Sequence, residues 1–380
     1  LTIECTPYFS LSMNNSIEYI FMHISNQTAL VVGATGFIGK FLIARLLSNN
    51  AQVFALCRNV EQQAPQLRQW LTDQGIAHQQ LNFIQGDVTL PNLGLSKQDW
   101  QQLKAVNYLY NTSALFAWNL TMQQAKSVNV NGLELLLESV SKHCQLERAV
   151  HLSGYMLTLN EHLQAAGIYR DRIEQTDWPR VYARLGAYEA SKIQGHFTWV
   201  KHAIQYNIPW TIIHPATVIG DETSGEIPSY QPIAHLIQQL KQGKMTAIPG
   251  TSQHYLPLVS VTMLVDAIIH AAQDPNTLQQ EILVANPKQV SFQELIQLIA
   301  QQLHLKPPRH FISLKLLKQV LKWSWLAQKL DMSAEMLNFI RTEPLDLERF
   351  ITLNQQWNIP NTDIESKVKK TVAWVSRLKS

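Results

Sequence analysis

Cysteine is scarce in this chain. Cys5, Cys57 and Cys144 are the only three in 380 residues. They have neither metal-ligand spacing nor the framework pattern of a disulfide-stapled secreted domain, and so point to a reducing, cytoplasmic setting. Charge is sparse as well: charged residues make up 16%, with 31 Lys and Arg against 28 Asp and Glu, a net charge of +3. Apart from Lys367, Lys369 and Lys370 the basic residues are scattered, without the stripe that tracks nucleic acid. No apolar run reaches the roughly 18 residues of a spanning helix, so no transmembrane segment is expected. The first 22 residues carry Glu4 and Glu18 and lack a basic start before an apolar stretch, so they do not read as a signal peptide. Met22 stands just ahead of the first strong strand. Residues 1–24 are therefore expected to be a poorly ordered extension, its start vector-derived or mis-assigned. Internal repeats are absent, and the only compositional bias is a general richness in Gln.

What is present is a hydrophobic fraction of 46%, enough for a sizeable core. Thr28-Ala-Leu-Val-Val32 is a short apolar run ended by glycine and reads as a buried parallel strand. Further strands are expected at residues 52–56, 81–84, 106–110, 149–152 and 210–213. Helical stretches fall at 37–47, 128–143 and 188–206. Strands alternating with helices predict an α/β fold, a Rossmann-type doubly wound parallel sheet. After Pro215 the pattern loosens into loops with helices at 233–242 and 291–303. The stretch 311–340, rich in Leu, Trp and Phe, reads as two apolar helices, as core first and as the wall of a greasy pocket second.

Gly33-Ala-Thr-Gly36-Phe-Ile-Gly39 follows the first strand and opens a helix, the context that dinucleotide binding requires. Gly33 permits the tight turn, Gly36 lets backbone approach a pyrophosphate, and Gly39 allows close helix–sheet packing. Thr35, Phe37 and Ile38 complete the turn, and the helix N-terminus offers free N–H groups to phosphate. The second expected strand ends Leu56-Cys57-Arg58-Asn59, with no acid to receive a ribose 2′-hydroxyl. Arg58 can pair with a 2′-phosphate, which favours NADP over NAD; the blander alternative is a solvated loop arginine.

Tyr188-Glu-Ala-Ser-Lys192 places a phenol and an ammonium one turn apart on a helix face. An ammonium and an oxidised nicotinamide lower a phenol pKa from near 10, so Tyr188 can donate its proton to a carbonyl oxygen as hydride arrives. It is the only Tyr-x-x-x-Lys pair among 11 tyrosines. Ser153, just past the fifth strand, is the candidate ligand of the substrate oxygen.

With its glycine spacing and this Tyr–Lys pair, the chain resembles the extended short-chain dehydrogenase/reductases of the NAD-dependent epimerase/dehydratase superfamily, over residues 28–271 and more weakly beyond. The resemblance implies that Asp87 and Val88 contact adenine. It puts Asn111, Ser113 and Ala114 beside the nicotinamide ribose with Lys192, and wraps Pro215, Thr217 and Val218 around the nicotinamide amide. It gives Asn129 a supporting role. Two departures stand out. Many extended members have two successive hydroxyl residues of which the second is catalytic, and Gly154 occupies that place, with Tyr155 as a substitute. His214 replaces the usual arginine and reads as structural. No histidine pairing suggests a metal.

Within the superfamily, residues 86–95 and 220–225 look like the thioester-reductase and fatty-acyl-reductase branch. That implies a small-molecule substrate, a lipophilic carbonyl or acyl thioester taken from free coenzyme A or a separate carrier, and a possible homodimer through the helix of Tyr188. Trp118 suits a lipid-like or polycyclic substrate. The alternatives are a nucleotide-sugar epimerase and a non-catalytic NADP-binding sensor; a ketone reductase of the hydroxysteroid type is a further relative. No carboxylate follows Ser153, which argues against a dehydratase. The expected organisation is an NADP-binding domain over 25–272, with substrate-loop insertions at 160–187 and 220–260, and a smaller, mostly helical substrate region over 273–380.

Overall fold

The computed structural model of the protein describes residues 27–115, 120–321, 323, 325 and 334–378. The expected extension at 1–24, Trp118 and part of the 311–340 stretch lie outside the described residues.

The first half alternates strands and helices: β1 (Thr28–Val32), α1 (Phe37–Ser48), β2 (Gln52–Cys57), α2 (Val60–Asp73), β3 (Leu81–Gln85), β4 (Tyr108–Asn111), α3 (Gly132–His143) and β5 (Arg148–Leu152). The short helices α4 (Asn160–Ala166) and α5 (Trp178–Leu185) precede the long α6 (Ala187–Gln205), which leads into β6 (Trp210–Pro215). The remainder includes β7 (Thr217–Ile219), α7 (Pro232–Lys241), β8 (Ile248–Pro249), β9 (Leu258–Ser260), α8 (Val261–Gln273), β10 (Gln280–Val284), α9 (Phe292–Gln302), β11 (Phe311–Ile312), α10 (Leu314–Val320) and α11 (Ile364–Arg377).

Seven parallel strands form one sheet in the order β10-β6-β5-β4-β1-β2-β3. Every strand expected from the sequence is in it. The seventh, β10, escapes a hydropathy reading because it opens on Gln280 and Glu281; it pairs Ile282 with Ile213 of β6 and falls after residue 272. Alternate residues of a strand point to opposite faces, and the two cores follow that parity. Ala29 and Val31 pack with Leu42, Ile43 and Leu46 of α1. Leu30 and Val32 pack with Leu136 and Leu137 of α3 and Trp199 of α6. Burial on both faces is why these strands read as continuous apolar runs rather than alternating ones.

Chain order reverses between β1 and β4, and a doubly wound sheet opens its ligand crevice at that point, beyond the carboxyl ends of the strands. The C-terminal helix α11 docks on the turn after β7. Gly220 N–H donates to Thr371 Oγ1 at 3.2 Å, and buried Lys367 pairs with Glu222 at 2.9 Å.

Candidate active site

The glycine turn is held in a shape that excludes side chains. Gly33 has φ of 80°, and a Cβ there would stand 2.7 Å from the backbone nitrogen of Ser113, on the loop after β4. A Cβ on Gly39 would stand 2.1 Å from the Gly33 carbonyl oxygen, so α1 packs directly on the turn. Gly36 is the N-cap of α1 and adds no side-chain hydrogen bond, while the Phe37 N–H at the start of the helix meets the Tyr230 hydroxyl. The backbone cradle and the helix N-terminus together fit a pyrophosphate.

The other expected cofactor contacts lie along the same strand ends. Thr35 is exposed, and its hydroxyl accepts from Gln63 Nε2 at 3.0 Å. Arg58 is exposed directly after β2, and Asn59 caps α2 by accepting from Gln62 N–H. Asp87 accepts from the Thr89 N–H and hydroxyl, each at 2.8 Å, while Val88 is buried. Buried Asn111 accepts from the Ser113 hydroxyl at 2.6 Å and contacts His151 Nδ1 at 3.1 Å.

A cavity of about 280 Å³ opens beside the turn. It brings together Gly36, Phe37, Ile38, Gly39 and Ala114 with Ser153, Tyr188, Lys192, Pro215, Thr217 and Val218, residues drawn from widely separated stretches of the chain. Gly33, Thr35, Arg58, Asp87, Val88, Asn111 and Ser113 are not among its lining residues. The far wall is apolar, with Leu236, Met245, Leu256, Phe292, Met336 and Phe339. Thus part of the 311–340 stretch is pocket wall. The Leu- and Phe-rich composition carried that signal for Met336 and Phe339; Thr112, in the turn with Asn111 and Ser113, and Tyr230 and Gln231, within the expected 220–260 insertion, also line the cavity, though the sequence singles out none of the three individually.

Helix α6 presents Tyr188 and Lys192 to the cavity. Burial pushes the Tyr188 phenol up, and the neighbouring Glu189 charge adds to that, so the group is held protonated rather than lowered as expected from its sequence neighbours. Burial lowers Lys192 to about 8. Its ammonium donates to the Leu152 carbonyl at 2.6 Å, tying α6 to the end of β5, one residue before Ser153. Asn129 adds a second tie: its Nδ2 donates to Ser191 Oγ at 3.0 Å, and its Oδ1 accepts from Leu115 N–H at 2.8 Å. It sits in a π-helical turn, Ser127–Asn131, an irregularity that frequently accompanies functional sites.

Ser153 Oγ is buried and has no hydrogen-bond partner among the described residues. Gly154 has extended backbone, φ −159°, and a Cβ there would meet nothing within 4 Å. The Tyr155 hydroxyl donates to the Phe339 carbonyl at 2.8 Å, so it is committed to the wall of the cavity. His214 lies behind Gly154: its Nδ1 is 3.0 Å from the Gly154 carbonyl and its Nε2 is 3.0 Å from Glu281. Burial pushes His214 down, to about 4, against the pull of Glu281. His196, His214 and Glu281 bring ligand atoms within 4.8 Å of one another. Arg170 already faces both Glu281 oxygens, at 3.2 and 3.4 Å, and a guanidinium there disfavours a divalent cation.

A crevice at the switch point and a glycine cradle at a helix end, with a Tyr–Lys pair in the adjoining cavity, belong to a dinucleotide-binding fold of the Rossmann type. Comparison with known proteins gives the family. The profile described as male sterility protein, an NAD-binding family, matches residues 31–318, and the chain belongs to that family. It is 22% identical over 281 residues to fatty acyl-CoA reductase 1 of Xenopus laevis, covering 65% of this chain and 54% of the relative. It is 25% identical over 222 residues to L-2-aminoadipate reductase of Schizosaccharomyces pombe, covering 53% of this chain and 15% of that protein. The chain therefore spans about half the length of the fatty acyl-CoA reductases it matches, and 7% of the probable polyketide synthases of Dictyostelium discoideum that also match. Among solved structures, the terminal R domain from the myxalamid PKS-NRPS biosynthetic pathway shares the fold, with TM-score 0.70 and 18% identity over 95% of this chain and 97% of that one. No helix of the described residues is long and apolar enough to cross a membrane.

Proposed function

We propose that this chain is an NADPH-dependent reductase of a lipophilic carbonyl or acyl thioester. The observation that carries the reading is one cavity in which Tyr188, Lys192 and the unpartnered Ser153 hydroxyl meet the glycine turn, opposite an apolar wall. Gly33, Gly36 and Gly39 hold the pyrophosphate, and Arg58 the 2′-phosphate that distinguishes NADP. The dinucleotide supplies the hydride when bound. Ser153 donates to the substrate oxygen, which gives its buried hydroxyl the partner it lacks. Tyr188, held protonated by burial, delivers its proton to that oxygen. Lys192 fixes the end of β5 and keeps a positive charge beside the developing negative charge. With a thioester, collapse of the resulting hemithioacetal releases aldehyde and thiol.

The apolar wall favours this over a nucleotide-sugar substrate, whose hydroxyls need polar partners. The test follows NADPH oxidation with long-chain acyl-coenzyme A, fatty aldehydes and polycyclic ketones. Oxidation with release of free thiol supports the thioester form, and oxidation with aldehydes or ketones alone supports the carbonyl form. Tight NADPH binding with no oxidation on any of them would defeat the proposal.

A further inference from the structure

A second cavity, of about 350 Å³, adjoins the first and shares Leu337 and Ile340 with its wall. Its lining carries Arg184, Lys318 and Arg341, with His162 and His254, against the one carboxylate of Glu343. Two of these cations are held where charge is costly. The Arg341 side chain is 10% exposed. Its Nη1 faces the Met156 sulfur at 3.4 Å, its Nη2 reaches exposed Glu343 at 3.3 Å, and its buried Nε has no hydrogen-bond partner among the described residues. Lys318 donates to the neutral amide oxygen of Asn338 at 2.8 Å. Burial lowers its pKa, Glu189 opposes that, and the charge of Arg341 reinforces it. The Glu189 carboxylate is itself taken up by His162 and by Asn338 Nδ2. Like charges drawn together in a half-buried pocket are unfavourable unless an anion joins them.

We propose that this second cavity binds a phosphate: the phosphopantetheine phosphate of the arm that delivers the acyl group, borne by coenzyme A or by a carrier protein. Identifying the arm rests on the thioester reading above; the anion site itself rests on the cations. Phosphate oxygens would take the unused Arg341 donors and the Lys318 ammonium, because guanidinium and ammonium are the natural phosphate partners. The acyl chain then occupies the apolar cavity, with its arm leaving past Leu337 and Ile340.

The test is calorimetric titration of the NADPH-saturated full chain with pantetheine, phosphopantetheine and coenzyme A. Phosphopantetheine is expected to bind about tenfold or more tighter than pantetheine, the size of a charge-assisted contact. That gap should close in Lys318→Met and in Arg184→Met, while pantetheine affinity stays constant and NADPH affinity shows that each variant is folded. Equal affinities in the unmodified chain, or a gap that survives both substitutions, overturns the proposal. Coenzyme A binding tighter than phosphopantetheine supports it with free coenzyme A as the source, and equal binding of the two supports it with a carrier as the source. Phosphate discrimination in a chain that reduces no thioester would keep the anion site and remove the thioester reading, so the two fail separately.

Discussion

Replacing Ser153 by alanine should move stability and activity in opposite directions. The Ser153 hydroxyl is buried without a partner among the described residues. An unsatisfied buried hydroxyl costs about 1–3 kcal/mol, whereas a hydroxyl kept for structure contributes about 1 kcal/mol. The backbone N–H of residue 153, which donates to the Ile213 carbonyl at 2.9 Å, is unaffected by the change. Ser153→Ala should therefore stabilise the free chain by about 1–2 kcal/mol, or roughly 1–3 °C in Tm for a chain of this length. In turnover, the loss of one donor to the developing oxyanion costs about 10²–10³ in kcat. Differential scanning calorimetry and NADPH oxidation on the same preparation give both numbers, with NADPH affinity as the control. A variant with a lower Tm and an intact kcat would refute the reasoning, since the hydroxyl would then serve the fold and not the substrate.

Other expectations test other parts of the site. Gly39→Ala puts a Cβ 2.1 Å from the Gly33 carbonyl, so it should lower stability by about 3 kcal/mol and weaken NADPH binding; unchanged binding in a titration would count against the cradle. Arg58→Ala should weaken NADPH by about 10–100-fold and leave NADH unaffected, and a parallel loss of both would remove Arg58 from the 2′-phosphate. Lys192, lowered to about 8 by burial, should impose a fall in kcat/KM above about pH 8. Its depressed value also means that the unfolded chain binds the extra proton between pH 8 and 10.5, so this group alone makes the fold more stable as pH rises through that window. A Lys192→Arg variant that keeps the alkaline limb would show that another group titrates.

Much of this arrangement is legible in residue order, for physical reasons. A strand buried on both faces is a continuous apolar run, so β1 to β6 announce themselves, and a glycine turn between β1 and α1 has few other uses. The Tyr188–Lys192 pair is legible because helix periodicity alone puts both on one face. β10 is hidden because its start is polar, and its pairing with β6 is a tertiary fact. The apolar wall is equally hidden: Leu236, Met245, Leu256 and Phe292 come from separate elements, and each reads as ordinary core until the fold turns it toward Tyr188. The sign of the Tyr188 perturbation escapes the sequence for a related reason. Spacing shows that Lys192 is near, but it does not show burial, which dominates.

The most direct measurement is single-turnover NADPH oxidation by the unmodified chain and by Tyr188→Phe, with NADPH affinity measured in parallel on an acyl thioester or aldehyde that the unmodified chain reduces. Phenylalanine keeps the ring and removes only the proton donor, so turnover should fall by about 10²–10⁴-fold with NADPH affinity unchanged. Turnover that survives at the unmodified rate would contradict Tyr188 as the acid and leave the Tyr–Lys pair a structural feature of α6.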